Sequence, residues 1–474
     1  MTINDLEPKA VWQYFSEICS VPRGSGNEAG IRNHIINFAK EHGFEYKVDD
    51  VGNLIMRKDG IGKSIVLQGH MDMVCEKNSN TVHDFRKDPI DVIIDGDTVK
   101  AKGTTLGGDD GIGLAIAMAL FTDPDVTCPL EALFTVEEET GLTGAIGLKP
   151  NLLKSSIMIN LDSEDDEEII IGCAGGIDTS LWLEIEREKP DFTPFGIHLK
   201  LSGFTGGHSG EDIDKPRANA NKLLAEFLKS LNIAYRIVNI SGGGLRNAIP
   251  REAEATIVVP WEDKENARIA WNLFEAATET KWKTHEPDMI MTLESVEPAE
   301  DAYTKCLTEK IVNLLCEVPH GPIEFCKDMP TMVNTSTNLA FIRDQYGKIL
   351  IGTSQRSANL GKRDAIANKI SEIGAKYGAV TTHSSGYPGW EPKENSALLN
   401  TAVQTYKELF GSEPKVKTIH AGLECGLFSK SYPGMDMISI GPKILGIHSP
   451  AETLYIETVK KCWLFTKTLC QALQ

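Results

Sequence analysis

Apolar residues at intervals of three and four positions predict two helices near the start of the chain. The pattern holds over residues 11–19 and again over residues 31–39, and Gly43 follows the second run, where a helix commonly ends. We therefore expect two amphipathic helices here, each with one face turned towards a core.

Three apolar runs further along the chain predict strands. They cover residues 64–74, 130–138 and 156–164, and their first halves are almost continuously apolar, which is typical of strands buried on both faces. Residues 111–121 are small and apolar and favour a closely packed helix. This alternation predicts an α/β fold with a mostly parallel central sheet flanked by helices.

The pattern changes near residue 185. Strand-like and helical segments then follow in an order that fits an α+β domain, and the α/β pattern returns at about residue 390. A closing helix is expected from Glu452. We predict one discontinuous domain, residues 1–185 and 390–474, that carries an inserted α+β domain at 186–389.

Composition narrows the range of partners. The chain has 474 residues, which implies more than one domain, and a formal net charge of −19, which disfavours nucleic acid and anionic membranes as partners. No apolar run approaches the roughly 20 residues of a membrane helix.

The first residues lack the basic and apolar blocks of a signal peptide, and the ten cysteines form no CxxC pair, so we expect a cytoplasmic protein with reduced thiols.

The segment "TVEEET" places Glu137, Glu138 and Glu139 directly after an apolar run. Consecutive acids usually mark a solvated face. Here they stand between a predicted buried strand and a glycine-containing turn, where unpaired charge is costly. The sequence therefore predicts positive charge next to these glutamates.

Other acids and histidines occur in motifs around the predicted strands. "GHMD" places His70 and Asp72 two positions apart, hence on one face of a strand; alone, this fits either a core histidine or a metal ligand with an orienting carboxylate. Asp109 in "LGGDDGIG" fits either a helix cap or a bridging ligand. Asp162 fits either an exposed acidic turn or a ligand, and His448 in "GIHSPAE" either an exposed turn or a ligand.

Taken together, two imidazoles and three carboxylates match a site for two zinc ions. Each ion would take one histidine and one carboxylate, and the third carboxylate would be shared between them. Two divalent cations also balance the charge of three carboxylates and a bridging hydroxide. One neighbouring glutamate is then left to act as a general base.

Seven motifs in order resemble a known family. "GHMD", "TTLGGDDGIG", "TVEEETG", "NLDSE", "GGHSGEDI", "RNAIPREA" and "GIHSPAE" are similar to those of the aminoacylase/carboxypeptidase-type dinuclear zinc peptidases, and within that family to the aminoacyl-histidine dipeptidases of bacteria. The resemblance spans nearly the whole chain. It implies a catalytic domain formed by the two outer segments and a lid domain formed by the insert.

The resemblance also implies roles for individual residues. Glu138 would be the general base, and Glu139 a ligand, which requires the strand to break because alternation would separate them. Asp72 would orient His70, Glu137 would support the site, and Asp110 receives no role. The implied zinc ligands are His70, Asp109, Glu139, Asp162 and His448, with Asp109 bridging. The implied substrate contacts are His208 at the carbonyl oxygen, Asn247 at the substrate's backbone, Arg356 at its carboxylate and Glu424 at its free amino group. Arg356 alone fits a structural salt bridge equally well.

The implied activity is hydrolysis of dipeptides, of Xaa-His type and more broadly, with two zinc ions that cobalt or manganese can replace. A homodimer is the preferred assembly. An N-acyl amino acid deacylase or a tripeptide aminopeptidase would share the metal motifs. A non-catalytic peptide-binding protein is disfavoured, because neither the base nor any ligand is missing.

Overall fold

The computed structural model describes residues 2–326 and 332–473. Contacts divide the chain into two compact units. The first comprises Met1–Cys173, Trp390–Thr418 and Leu423–Gln474. The second comprises Ala174–Gly389 and Ile419–Gly422. The division after Cys173 precedes the predicted boundary at residue 185 because the intervening strand pairs within the second unit.

The helices of the described residues are numbered in chain order. They are α1 (Lys9–Cys19), α2 (Ala29–His42), α3 (Gly108–Thr122), α4 (Glu138–Gly141), α5 (Thr143–Gly147), α6 (Ala220–Ser230), α7 (Lys264–Trp282), α8 (Lys305–Glu317), α9 (Leu360–Lys376), α10 (Ala397–Phe410), α11 (Glu424–Ser431) and α12 (Ile456–Ala472). Short 3₁₀ helices cover Ile3–Asp5 and Trp261–Asp263.

The strands of the described residues are numbered in the same way. They are β1 (Glu45–Val48), β2 (Leu54–Lys58), β3 (Ile65–His70), β4 (Val92–Asp95), β5 (Thr98–Ala101), β6 (Leu130–Thr135), β7 (Ile157–Asn160), β8 (Glu168–Cys173), β9 (Gly175–Glu184), β10 (Arg187–Glu188), β11 (Pro194–Ser202), β12 (Gly207–His208), β13 (Arg236–Gly242), β14 (Ala248–Ile249), β15 (Ala253–Pro260), β16 (Ile290–Val296), β17 (Ala302–Tyr303), β18 (Gly321–Phe325), β19 (Val333–Gln345), β20 (Lys348–Ser357), β21 (Val380–His383), β22 (Lys415–Ile419), β23 (Asp436–Ser439), β24 (Ile444–Leu445) and β25 (Thr453–Tyr455).

An eight-stranded sheet in the order β1-β2-β6-β3-β7-β23-β8-β22 forms the centre of the first unit. Strand β3 runs parallel to β6 and β7, and β23 runs parallel to β7. The pairs β1-β2, β2-β6 and β23-β8 are antiparallel. The sheet is thus parallel across its four central strands, β6, β3, β7 and β23, and the α/β class predicted from the sequence is confirmed.

The central strands are buried, with α3 packed against β3 and β6 and α10 packed against β23. Every residue of β3 and of β6 is buried, as their continuous apolar character predicted. Helix α3 packs against α1, α12 and β3, and its glycines and alanines allow this close approach. A second, four-stranded sheet in the order β24-β25-β5-β4 completes this unit.

The central strands end earlier than predicted. Strand β3 stops at His70 rather than residue 74, β6 at Thr135 rather than residue 138, and β7 at Asn160 rather than residue 164. In each case one buried apolar residue follows the strand, and the acidic residues of the motif lie beyond it. The closing helix begins at Ile456, not at the predicted Glu452, because Thr453–Tyr455 pair with β5 as strand β25.

The second unit is an α+β structure. Its nine-stranded antiparallel sheet follows the order β16-β11-β15-β13-β19-β20-β9-β21, with β18 beside β19. Helices α6, α8 and α9 pack on this sheet, and α7 packs against β15 and β16. Leucine, isoleucine and valine side chains from both layers form its core. Among the described residues of either unit, no helix is sufficiently long and apolar to cross a membrane.

Candidate metal centre

His70 is the last residue of β3 and lies at the centre of a polar cluster in the first unit. Its side chain is 1% exposed, and its Nε2 lies 2.9 Å from Asp109 Oδ1 and 3.4 Å from Asp162 Oδ1. Asp162 follows the parallel neighbour β7 by two residues, so the ends of adjacent parallel strands bring the two side chains to one edge.

Asp109 lies at the distorted start of α3. Gly107 adopts φ +70°, and Asp109 and Asp110 have non-helical dihedral angles inside the first turn. The N-cap residue is Gly107, and both carboxylate oxygens of Asp109 face imidazole nitrogens, so the capping alternative does not apply. Its second oxygen, Oδ2, lies 3.2 Å from His448 Nε2. The two oxygens of one carboxylate therefore face two different imidazoles.

His448 reaches the cluster from the loop between β24 and β25, not from the end of a strand of the central sheet. Its Nε2 also lies 3.0 Å from Glu139 Oε2, and its side chain is 48% exposed. The histidine adopts φ +59°, in the left-handed region. A loop of the small sheet thus supplies the second imidazole.

The three glutamates turn sharply away from β6. The strand ends at Thr135, Glu137 adopts φ +50°, and Glu138 begins the short helix α4. The strand therefore breaks before Glu138 and Glu139, as the roles implied for these two residues require. One nitrogen of His70 and one oxygen each of Glu138 and Glu139 lie within 4.8 Å of one another, so both glutamates reach the cluster.

Asp72 connects the imidazole to this turn. Its Oδ1 lies 3.3 Å from His70 Nδ1 and accepts the backbone N–H of Glu138 over 3.0 Å. Its Oδ2 accepts the backbone N–H of Glu139 over 3.2 Å and the Ser25 hydroxyl over 2.7 Å. Asp72 lies beyond the end of β3, so a turn, rather than the predicted strand alternation, places it beside the ring.

Two ligand sets within the described residues share one carboxylate. His70, Asp109 and Asp162 form the first set, and Asp109, Glu139 and His448 form the second, each with ligand atoms within 4.8 Å of one another. Glu139 Oε1 is buried and has no hydrogen-bond partner. Imidazole nitrogens and carboxylate oxygens are donors that suit zinc and related divalent ions. The residues present therefore fit a pair of divalent cations.

Burial and close contacts shift several pKa values in this cluster upwards. Burial, with nearby carboxylates, raises the pKa of Asp162 to about 7 and that of Glu138 well above its ordinary value. Hydrogen bonds to Asp109 and Glu139 raise the pKa of His448 to about 11. Each raised pKa means that the group binds a proton more readily than usual. Divalent cations would supply the same positive charge in place of these protons.

A family model for "Peptidase family M20/M25/M40" matches residues 66–472. The chain belongs to this peptidase family. The matched range contains every residue of both ligand sets. The protein is thus an M20 peptidase, a hydrolase.

Similar proteins support this membership over the full length. The chain is 41% identical to the cytosol non-specific dipeptidase of Escherichia coli (strain K12), over 98% of each chain. A crystal structure of aminoacylhistidine dipeptidase from Vibrio alginolyticus matches with a TM-score of 0.90 and 37% identity, covering 100% of this chain and 98% of that one. A tripeptidase structure from Staphylococcus aureus, at 14% identity and a TM-score of 0.58, shares the fold over 99% of this chain and 100% of that one.

Three predicted substrate contacts of this M20 peptidase lie in the second unit. His208 is in β12, with its Nδ1 3.4 Å from the backbone nitrogen of Gly210, and the carbonyl of Asn247 accepts the N–H of Ser209 over 2.8 Å. These two predicted residues are therefore brought together by the β12-β14 pair.

Arg356 lies in β20 and is buried. Its Nη1 donates to the Tyr387 hydroxyl over 3.0 Å, and its Nε is buried without a hydrogen-bond partner. Across residues 2–326 and 332–473, Arg356 forms no ion pair with an acidic residue, so the structure does not support a structural salt bridge for this arginine.

Glu424 and Asp110 are buried in the first unit. Glu424 accepts hydrogen bonds from Gln68 Nε2 over 2.6 Å and Thr135 Oγ1 over 2.7 Å, and burial raises its pKa to about 8. Its predicted pairing with a substrate amino group stays a prediction. Asp110 Oδ2 accepts the backbone N–H of His70 over 3.2 Å, a role that the sequence did not indicate.

The segment "RGSGNE" between α1 and α2 supports the cluster and was missed by the sequence interpretation. Arg23 is 2% exposed and donates to the carbonyl oxygens of Met71 over 3.1 Å and Asp72 over 2.5 Å. Glu28 Oε1 accepts the N–H of Glu137 over 3.1 Å. The available signal was a polar, glycine-containing stretch directly after an apolar helix.

Proposed function

We propose that this protein is a metal-dependent dipeptidase that hydrolyses the amide bond of dipeptides, including Xaa-His dipeptides, with two zinc ions. The observation that carries the proposal is the position of Asp109, whose two oxygens face His70 and His448. Similarity to a dipeptidase over 98% of both chains supports the substrate class.

The two ligand sets divide the proposed ions between them. His70 and Asp162 would hold one ion, His448 and Glu139 the other, and Asp109 would contact both. The pair, when bound, supplies Lewis-acid activation of a water molecule and of the scissile carbonyl. Cobalt or manganese would replace zinc, because the donors are nitrogen and oxygen only.

Glu138 is the proposed proton carrier. It stands next to the ligand Glu139 but belongs to neither of the sets that share Asp109. In the proposed reaction its carboxylate takes a proton from the attacking water and passes it to the leaving amine. Asp72 accepts the backbone N–H of Glu138, and one oxygen of the Glu138 carboxylate lies within 4.8 Å of a ring nitrogen of His70.

The second unit supplies the proposed substrate contacts. His208 donates to the carbonyl oxygen as negative charge develops there, a contribution typically of about 3 kcal/mol. The guanidinium of Arg356 suits the substrate's carboxylate, because two N–H groups can meet two oxygens. Asn247 binds the substrate backbone. The expected homodimer and cytoplasmic location stay predictions.

A substrate panel tests the proposal. The metal-depleted protein, reloaded with zinc, cobalt or manganese, is assayed with β-alanyl-histidine, other dipeptides, a tripeptide and an acetylated amino acid. We expect hydrolysis of dipeptides above all others. Preference for the tripeptide or the acetylated amino acid would favour the aminopeptidase or the deacylase instead, and absence of hydrolysis with every metal would contradict the proposal.

A further inference from the structure

One buried carboxylate binds the backbone that carries Asp109. Glu452 is 3% exposed and lies in the loop before β25. Its two oxygens accept four consecutive backbone N–H groups at the start of α3. These are Leu106 at 2.7 Å and Gly107 at 3.0 Å on Oε2, and Gly108 at 2.7 Å and Asp109 at 3.3 Å on Oε1.

These contacts fix the local backbone conformation. Hydrogen bonds from N–H groups to an ionised acceptor are roughly twice as strong as those between neutral groups. The backbone also has to approach the carboxylate closely, since a Cβ at Gly108 would lie 3.2 Å from Glu452 Oε1. The segment before Asp109 is therefore held in one conformation by a residue 343 positions away.

Glu452 and His448 belong to the same loop and contact opposite ends of Asp109. His448 Nε2 lies beside the Asp109 carboxylate, and Glu452 Oε1 accepts the Asp109 N–H. Inside the loop, the N–H of Glu452 donates to the Ser449 carbonyl over 3.1 Å, and the Ser449 hydroxyl donates to the Gly446 carbonyl over 2.6 Å. The shared carboxylate and one of its imidazoles are thus positioned by one short segment.

Arg23 holds the same backbone from another side. Its Nη2 donates to the carbonyl of Gly107, whose N–H is bonded to Glu452. Its Nη1 donates to the carbonyls of Met71 and Asp72, which follow His70 directly. The peptide groups around Gly107 are thereby tied both to the end of β3 and to the His448 loop.

We propose that Glu452 is a positioning residue that sets the Asp109 carboxylate so that it meets both cations. It acts through the backbone of residues 106–109 and touches no metal ligand side chain in this role. The inference rests on the proposed two-cation function. If it is right, loss of the Glu452 carboxylate weakens cation binding in a protein that is still folded, which a purely structural role would not do.

Calorimetric titration of zinc into the metal-free protein tests this inference. Glu452→Gln keeps the size of the side chain but replaces one acceptor oxygen by an NH₂ group that faces backbone donors. We expect unchanged far-UV circular dichroism and a roughly 10- to 100-fold weaker affinity for at least one zinc ion. We also expect a lower kcat with an unchanged KM. Glu457→Gln, an exposed glutamate five positions on, is the matched control and should retain both affinities.

Gly108→Ala provides a second test that does not remove a buried charge. Its new methyl group would press on Glu452 Oε1, so we expect a smaller loss of zinc affinity in the same direction. If Glu452→Gln does not fold, the zinc affinity of Gly108→Ala tests the inference instead. A folded variant with wild-type affinity for both ions overturns the inference and leaves the proposed function intact. A wild-type protein that fails to bind two ions contradicts the proposed function itself.

Discussion

The backbone N–H of Glu138 donates to Asp72 Oδ1 over 3.0 Å. The same oxygen lies 3.3 Å from Nδ1 of His70. One carboxylate therefore joins an imidazole of the cluster to the turn that carries the proposed base. Burial alone would raise the pKa of Asp72, but the hydrogen bond and the charge of the His70 ring outweigh burial and hold this pKa at about 2. The Asp72 carboxyl group is therefore ionised at neutral pH.

Asp72→Asn should weaken both functions of this carboxylate. The asparagine amide keeps one acceptor oxygen and turns an NH₂ group towards backbone donors. We expect zinc affinity and kcat/KM each to fall roughly 10- to 100-fold, measured by titration and by dipeptide assay. Ser25→Ala removes one hydrogen bond to the same carboxylate, worth about 1 kcal/mol. An equal loss in Ser25→Ala and Asp72→Asn would contradict the role given to Asp72.

Glu138→Gln should separate proton transfer from cation binding. The variant keeps both ligand sets that share Asp109, so we expect two bound zinc ions per chain, counted by elemental analysis. We expect kcat to fall by roughly 10²- to 10⁴-fold, because the amide cannot accept the proton. Glu41→Gln, an exposed glutamate on α2, is the control and should behave as the wild type. Turnover near the wild-type value in Glu138→Gln would show that another group carries the proton.

The two ligand sets predict unequal effects of removing ligands. His448→Ala should leave the set of His70, Asp109 and Asp162 complete, so one zinc ion should remain after dialysis. Asp109→Asn alters both sets and should weaken both ions. Metal content after dialysis against a mild chelator measures the difference. Equal retention in the two variants would argue against a shared carboxylate.

His320 in the second unit predicts a dependence of stability on pH. Burial, with the charge of Lys222, lowers its pKa from 6.5 to about 4. Between these values the unfolded chain binds a proton that the folded chain does not bind, so the free energy of unfolding falls as the pH falls from about 6.5 to about 4. The stabilisation is fully present above pH 6.5.

Urea unfolding of the metal-free protein at pH 7.5 and pH 5 measures this contribution. In His320→Gln the difference in unfolding free energy between the two pH values should be smaller than in the wild type, because glutamine does not titrate. If the unfolding free energy of His320→Gln depends on pH as strongly as that of the wild type, groups other than His320 cause this dependence.

The central strands and the types of candidate ligand could be predicted because they depend on residues that are close together in the sequence. Continuous apolar residues in β3 and β6 require burial, and acids placed next to such strands require a counter-charge. The positions where the strands end were not predictable in the same way. The turn at Glu137 depends on Glu28, which accepts its N–H from 109 positions away.

The residues that hold the site were the hardest to predict. Glu452 and Arg23 act on backbone N–H and carbonyl groups, which every residue type offers, so their partners leave no pattern of side chains in the sequence. The parallel pairing of the four central strands likewise depends on contacts between distant segments. Resemblance to a family supplied the ligand roles, whereas these contacts required coordinates.

The central claim is that two cations share the carboxylate of Asp109. Crystals of the zinc-loaded protein, measured with X-rays at the zinc absorption edge, would locate every bound zinc ion by its anomalous scattering. We predict two ions in one centre, one beside His70 and Asp162, the other beside His448 and Glu139, with Asp109 bound to both. A single ion, or two ions that do not share Asp109, would contradict the account.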